Sequence, residues 1–190
     1  MDQSRVRAFA RLKFRNPRPF LVRLREVEVE VAKSNLSPKV RHLRTNPLKS
    51  WREMREAALF CYGMGQRIGQ TVFLARSESQ DYDFVASWVV DGVQHFAPVQ
   101  LKEVVPTGLN PTASLQKTIA TCSKYVDSKD LIVAIHLNQR CRFEPCNLLI
   151  PMLRIASLWI FGAISKDQSE WGLWGNFLEE AEDTRFAYPT

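Results

Sequence analysis

Three polar side chains sit near the ends of one short stretch, DYDFVASWVVDGVQHFAPVQLKEVV, which runs from Asp81 to Val105. Phe84 to Val90 and Val93 to Val105 are β-rich runs parted by Asp91-Gly92, a dipeptide suited to a two-residue hairpin turn. With Val90 opposite Val93, the residue numbers of every cross-strand pair sum to 183, so Asp83 faces Gln100. Opposed side chains share a face with Cβ atoms about 5 Å apart, and Lys102 lies two residues further along that face. Leu101 points the other way, into the core. A carboxylate, an amide oxygen and the Leu101 carbonyl beside them suit a hard divalent cation such as Mg2+ or Mn2+. Such an ion assists phosphodiester hydrolysis, with Lys102 stabilising the charge that develops on the phosphoryl group. Gln and Lys alternating with Val99 and Leu101 is also the pattern of any amphipathic strand. Pro98 cannot donate to the ladder and is the point at which a bulge would shift the register.

Other elements must position these residues. Ser50, with Glu53 three residues on, reads as a capping box that starts a helix through WREMREAALFCYGM to the glycines at 63, 65 and 69. TVFLA at 71 to 75 reads as a short strand. TASLQKTIATCSKYV at 112 to 126 reads as a helix, and the continuous apolar run LIVAIHL at 131 to 137 as a strand buried on both faces. A strand-helix-strand unit built on that run pairs in parallel. LLIPMLRIA and LWIFGAI supply a further apolar segment and another strand, and the tail after Trp174 turns acidic. Helix, strand, hairpin, helix, strand defines a mixed α/β fold with antiparallel and parallel pairs in one sheet.

The 190-residue chain is long enough for one domain with a real core. It reads as a basic N-terminal extension over 1–49 and a single α/β domain over 50–190. Residues 1–50 carry +9 (13 Lys and Arg against 4 Asp and Glu), and the remainder carries −3 (13 against 16). Arg5, Arg7, Arg11, Lys13, Arg15, Lys39, Arg41 and Arg44 are therefore candidates for phosphate contacts, since clustered cations release counterions from a polyanion. A solvated extension explains the same charge. Leu24 to Ala32 alternates Val with charge and reads as a strand, which argues against a basic amphipathic membrane helix. No apolar run approaches a membrane span or a secretory signal, and Glu26, Glu28 and Glu30 argue against an organellar presequence. A cytoplasmic protein with reduced thiols is the expectation.

Taken in order, the helix with an acid, a strand, the Asp-bearing strand, a strand ending in Gln-x-Lys, a helix and a strand resemble the PD-(D/E)xK, or restriction-endonuclease-like, nuclease superfamily over roughly residues 50 to 137. The resemblance implies a restriction-endonuclease-like mixed sheet with a central β-hairpin flanked by helices. It implies Asp83 and Gln100 as metal ligands with the Leu101 carbonyl, Lys102 as the catalytic lysine, and Glu56 as the helix-borne acid and further ligand. Glu53 competes for that last role, but the capping box already accounts for it. Glu78 is a reserve acid, and Gln116, Lys117 and Tyr125 occupy positions used for accessory groups. The implied activity is Mg2+- or Mn2+-dependent cleavage of nucleic acid, DNA before RNA. No proline precedes Asp83, and Gln100 replaces the usual acid, as in transposon-end-cleaving nucleases. An inactive relative that binds nucleic acid or, through its Trp-rich C-terminal region, a protein is the alternative.

Other motifs fail. CYGMGQRIG at 61 to 69 follows a helix and lacks the third glycine of a dinucleotide fingerprint. His136, Cys141 and Cys146 match no common zinc-finger spacing and lack a fourth ligand. His136 reads as a buried core residue, and Trp159, Trp171 and Trp174 as core or interface.

Overall fold

The hairpin forms in the register that Asp91-Gly92 dictates. A computed structural model describes residues 2–35, 48–77, 79, 81–126, 128–139 and 141–190; the candidates Lys39, Arg41, Arg44 and Glu78 lie outside them. Asp91 and Gly92 both adopt positive φ, 50° and 77°, as a type I′ turn demands. Strands β2 (Phe84–Val90) and β3 (Val93–Val104) flank that turn, with Val90 opposite Val93 and Phe84 opposite Val99. Pro98 sits within the ladder opposite Val85, so no bulge disturbs the pairing.

Seven strands form one sheet in sequence order. Strand β1 (Phe73–Arg76) pairs antiparallel with β2, while β4 (Ser128–Leu137) runs parallel to β3 and β5 (Ile155–Ala163) parallel to β4. Strands β6 (Glu170–Gly175) and β7 (Glu182–Ala187) complete the sheet with antiparallel pairing. The fold is thus mixed α/β. The two final strands escape the sequence reading because their Gly, Trp and acidic residues do not alternate cleanly. Trp171 and Trp159 are core residues.

The helices are α1 (Gln3–Ala10), α2 (Pro17–Lys33), α3 (Lys49–Ile68) and α4 (Leu115–Ala120). Three local expectations need correction. Residues 24–32 are helical rather than extended: Asn16 caps a helix with Pro17 in its first turn, and Pro17, Leu21 and Leu24 form the buried stripe. Val27 and Val29 are left exposed, so their period of two marks no face. Ser50 does not cap α3, whose N-cap is Leu48 with no side-chain hydrogen bond. The helix foreseen over 112–126 is only α4, followed by a 3-10 turn at Thr121–Lys124.

Two cores cover the faces of the sheet. Helix α3 packs Ala57, Leu59 and Phe60 with Val99, Leu101, Ala134 and Phe161 on one face. On the other, Leu115, Ile119 and Cys122 pack with Val104, Val133, Ile135 and Ile160. The described part of the basic extension belongs to this body. Phe9, Leu21 and Leu24 are buried, and Arg15 forms a β-bridge with Leu74. Among the described residues no helix is long and apolar enough to cross a membrane.

Candidate functional site

Asp83 ends up beside Gln100 because β2 and β3 keep their register to the last residue, where the Asp83 backbone N–H still donates to Val99 at 2.9 Å. The Leu101 backbone N–H donates to Asp83 Oδ2 at 2.6 Å. Gln100 Nε2 donates to the same carboxylate oxygen and, at 3.2 Å, to the Leu101 carbonyl. One amide NH2 thus lies between two oxygens. Turning the Gln100 amide over puts Oε1 beside them, and amide orientation follows the hydrogen-bond network rather than any fixed geometry. The hydrogen bonds set the NH2 toward both oxygens, so an ion would have to turn the amide over to gain three oxygen ligands, the donor set of a hard divalent cation.

Desolvation raises the Asp83 pKa, opposed by the Leu101 N–H and by the Lys102 ammonium, and reinforced by Glu53 and then Glu56. Lys102 stands on the same face of β3, its Nζ 5.6 Å from the centre of the Tyr125 ring. Burial pushes the Tyr125 hydroxyl pKa up, Lys124 lowers it, and the Asp83 charge raises it further. Asp83, Gln100, Lys102 and Tyr125 therefore form one cluster at the end of the hairpin.

Other candidates are engaged elsewhere. Gln116 clamps the backbone of Leu149, donating to its carbonyl at 2.7 Å and accepting from its N–H at 3.1 Å. Lys117 donates to the Thr112 carbonyl at 3.2 Å. Glu56 is buried, with Oε1 at 3.3 Å from His136 Nδ1 and 3.9 Å from Arg52 Nε. Glu53, with no cap to make, pairs with Lys49 at 3.5 Å and is the acid of α3 that acts most strongly on Asp83.

Among the basic candidates, Arg7, Arg11, Lys13 and Arg15 are exposed. Arg5 lies over the rings of Phe9 and Tyr82, 5.6 Å from each centre, which brings α1 next to the residue preceding Asp83.

A second cluster went unread in the sequence. Glu56, Glu103 and His136 bring one ligand atom each within 4.8 Å of one another. Glu103 follows Lys102 and so points to the opposite face of β3, where the parallel register sets it opposite His136. The alternation from Lys102 to Glu103 is visible in the sequence; the β3–β4 register that supplies His136 is not. Cys141 and Cys146 are exposed and join no such group among the described residues. All four cysteines are free thiols.

Comparison with known proteins finds no matching family model, no matching curated protein and no matching solved structure.

Proposed function

We propose that this chain is a Mg2+- or Mn2+-dependent nuclease of the PD-(D/E)xK type, acting on DNA in preference to RNA. The observation that carries the reading is the convergence of Asp83, Gln100 and the Leu101 carbonyl at one strand end, with Lys102 on the same face. The element order supports it: α3, then β1, β2 and β3, then α4, then β4 parallel to β3, which is the order the resemblance implies. Held by those oxygens, the ion would supply charge neutralisation at a phosphodiester and polarise a water. Asp83 orients that site through its hydrogen bond from Leu101. Lys102 offers a cation to the non-bridging phosphate oxygens, where negative charge grows as the water oxygen bonds to phosphorus and the ester oxygen leaves. Glu56 and Glu53 are the candidates for the helix-borne acid, Glu53 acting the more strongly on Asp83. Arg7 on α1 and Arg11 at its C-terminal end are exposed on the side of the helix away from its Arg5 and Phe9 contacts with Tyr82, and are offered to the backbone of the substrate.

Cleavage of single- and double-stranded DNA and RNA with Mg2+ or Mn2+ tests the reading. Lys102→Ala should lower kcat by on the order of 10²–10³-fold with little change in substrate binding. Asp83→Asn should abolish cleavage and weaken metal affinity. Wild-type protein that cleaves none of these substrates and binds no ion through Asp83 overturns the reading. The Gln100 NH2, already satisfying Asp83 without an ion, favours a second reading in that case: a nuclease-like module that binds nucleic acid or a protein partner without cutting.

A further inference from the structure

Behind Lys102, on the face of β3 that meets α3, two carboxylates and an imidazole converge in the protein interior. We propose that Glu56, Glu103 and His136 form a second cation site, separate from the Asp83 site, for a divalent first-row transition ion. Glu56 and His136 are 4% and 3% exposed, and Glu56 Oε1 and His136 Nδ1 are buried atoms with no hydrogen-bond partner among the described residues. Buried polar atoms are ordinarily paired, and these two lie 3.3 Å apart without the alignment of a hydrogen bond. That separation is the one a shared ion requires. Ligand atoms around a tetrahedral centre with bonds of about 2.0–2.1 Å stand about 3.3 Å from one another. The whole set spans no more than 4.8 Å, so a modest side-chain adjustment of Glu103, the least buried member, closes it.

Surrounding groups prepare the site. The His136 ring is stacked on Phe161 at 5.0 Å and on Trp171 at 5.8 Å between centres, which fixes its plane. Glu103 Oε1 accepts from Asn138 Nδ2 at 2.7 Å, the kind of supporting hydrogen bond that orients a ligating carboxylate. Arg52 Nε is 3.9 Å from a carboxylate oxygen of both Glu56 and Glu103 and makes no hydrogen bond among the described residues. The ion would have to outcompete that guanidinium charge for the two carboxylates. One imidazole with two carboxylates suits Zn2+, Fe2+ or Co2+, whereas Mg2+ takes oxygen ligands and keeps several waters.

The test uses the full chain, stripped with chelator and dialysed against Zn2+ or Co2+. Wild-type protein should retain one equivalent that Asp83→Asn also retains. Co2+ should give ligand-field absorption, and X-ray absorption of the Zn2+ form should show the outer-shell scattering of one imidazole. Glu103→Gln, nearly isosteric and only partly buried, should weaken Co2+ affinity by on the order of 100-fold, with circular dichroism confirming that it is folded. Three results overturn the proposal: no retained ion in wild type, no imidazole scattering, or an ion lost in Asp83→Asn and kept in folded Glu103→Gln. The first of these would leave the contact of His136 with Glu56 as the account of the cluster. Because the readout is ion content and spectroscopy, it stands or falls independently of nucleic-acid cleavage.

Discussion

Replacing Gln100 with glutamate should destabilise the ion-free protein and make its stability depend on Mg2+ or Mn2+. In the wild type, Gln100 Nε2 donates to Asp83 Oδ2; in Gln100→Glu a carboxylate oxygen faces that oxygen instead. Loss of a hydrogen bond to a charged group costs about 1.5–3 kcal/mol. Two like charges about 4 Å apart add about 1 kcal/mol in water and about 4 kcal/mol at an effective dielectric of 20, and the exposed end of the hairpin lies toward the lower figure. A total of about 2–5 kcal/mol corresponds to a fall of about 5–15 °C in the melting temperature of a chain this size. Asp83 already has its pKa raised by desolvation, and a second carboxylate raises it further. The penalty exists only while both acids are ionised, so the variant should regain stability as pH falls through the raised pKa of the pair. An ion at about 100 times its Kd should return about 2.7 kcal/mol. Thermal unfolding of wild type, Gln100→Glu, Asp83→Asn and the double variant, each in EDTA and in Mn2+, measures all of this. The double variant should melt near the wild type in EDTA, since it has no charge pair. A Gln100→Glu protein that melts with the wild type in EDTA refutes the contact. One that melts lower but is not rescued by Mg2+ or Mn2+ refutes the cation site.

Three further outcomes are expected. Gly63→Ala places a Cβ at 2.7 Å from Phe186 Cε1, and the clash between α3 and β7 should cost about 1–3 kcal/mol in denaturant unfolding. Tyr188→Phe removes the hydrogen bond to the Leu21 carbonyl, 3.0 Å, at a cost of about 1 kcal/mol. Burial pushes the Tyr188 pKa up to about 12, so the wild type should lose stability as pH rises from about 10 toward 12, and that part of the alkaline loss should vanish in the variant. Arg7→Gln with Arg11→Gln should weaken DNA binding and reduce the slope of log K against log salt by about 0.9 for each phosphate no longer neutralised; an unchanged slope assigns α1 to some other partner. Truncation before Lys49 cannot replace that experiment, because it also removes Phe9, Leu21 and Leu24 from the core.

What the sequence conveyed depended on how local the determinant was. Asp91-Gly92 sets a register on its own, so the partners of every residue from Phe84 to Val99 follow from two positions. The apolar run in β4 is likewise self-announcing. Helix α2 was obscured because Val and charged residues alternate along it, and only the tertiary contact of Leu21 and Leu24 distinguishes a helix face from a strand face. Ser50 and Glu53 carry a capping signature that the chain does not use, since α3 begins at Lys49 with Leu48 at its N-cap. The capping reading set Glu53 aside in favour of Glu56; the charges of both raise the Asp83 pKa, Glu53 the more strongly, and the Glu56 carboxylate lies 3.3 Å from His136. Gln116 offered polarity in the right place, and only the path of 148–154 past α4 shows that it holds a loop.

Four consecutive residues, Gln100-Leu101-Lys102-Glu103, explain why the chemistry of this chain divides in two. In a strand, neighbours point to opposite faces, so Gln100 and Lys102 look toward Tyr125 and α4 while Leu101 and Glu103 look toward α3. The Leu101 backbone belongs to the first cluster, through its N–H to Asp83 and its carbonyl near Gln100, while its side chain seals the core beneath the second. A substitution at Glu103 therefore reaches Lys102 only through the strand backbone, which parallel pairing with β4 holds on the far side. Glu103→Gln should alter ion retention behind the sheet while leaving the pairing of Asp83 with Gln100 in place. Loss of that pairing in Glu103→Gln, read from the Mg2+ dependence of its melting temperature, would mean that the two faces act as one site.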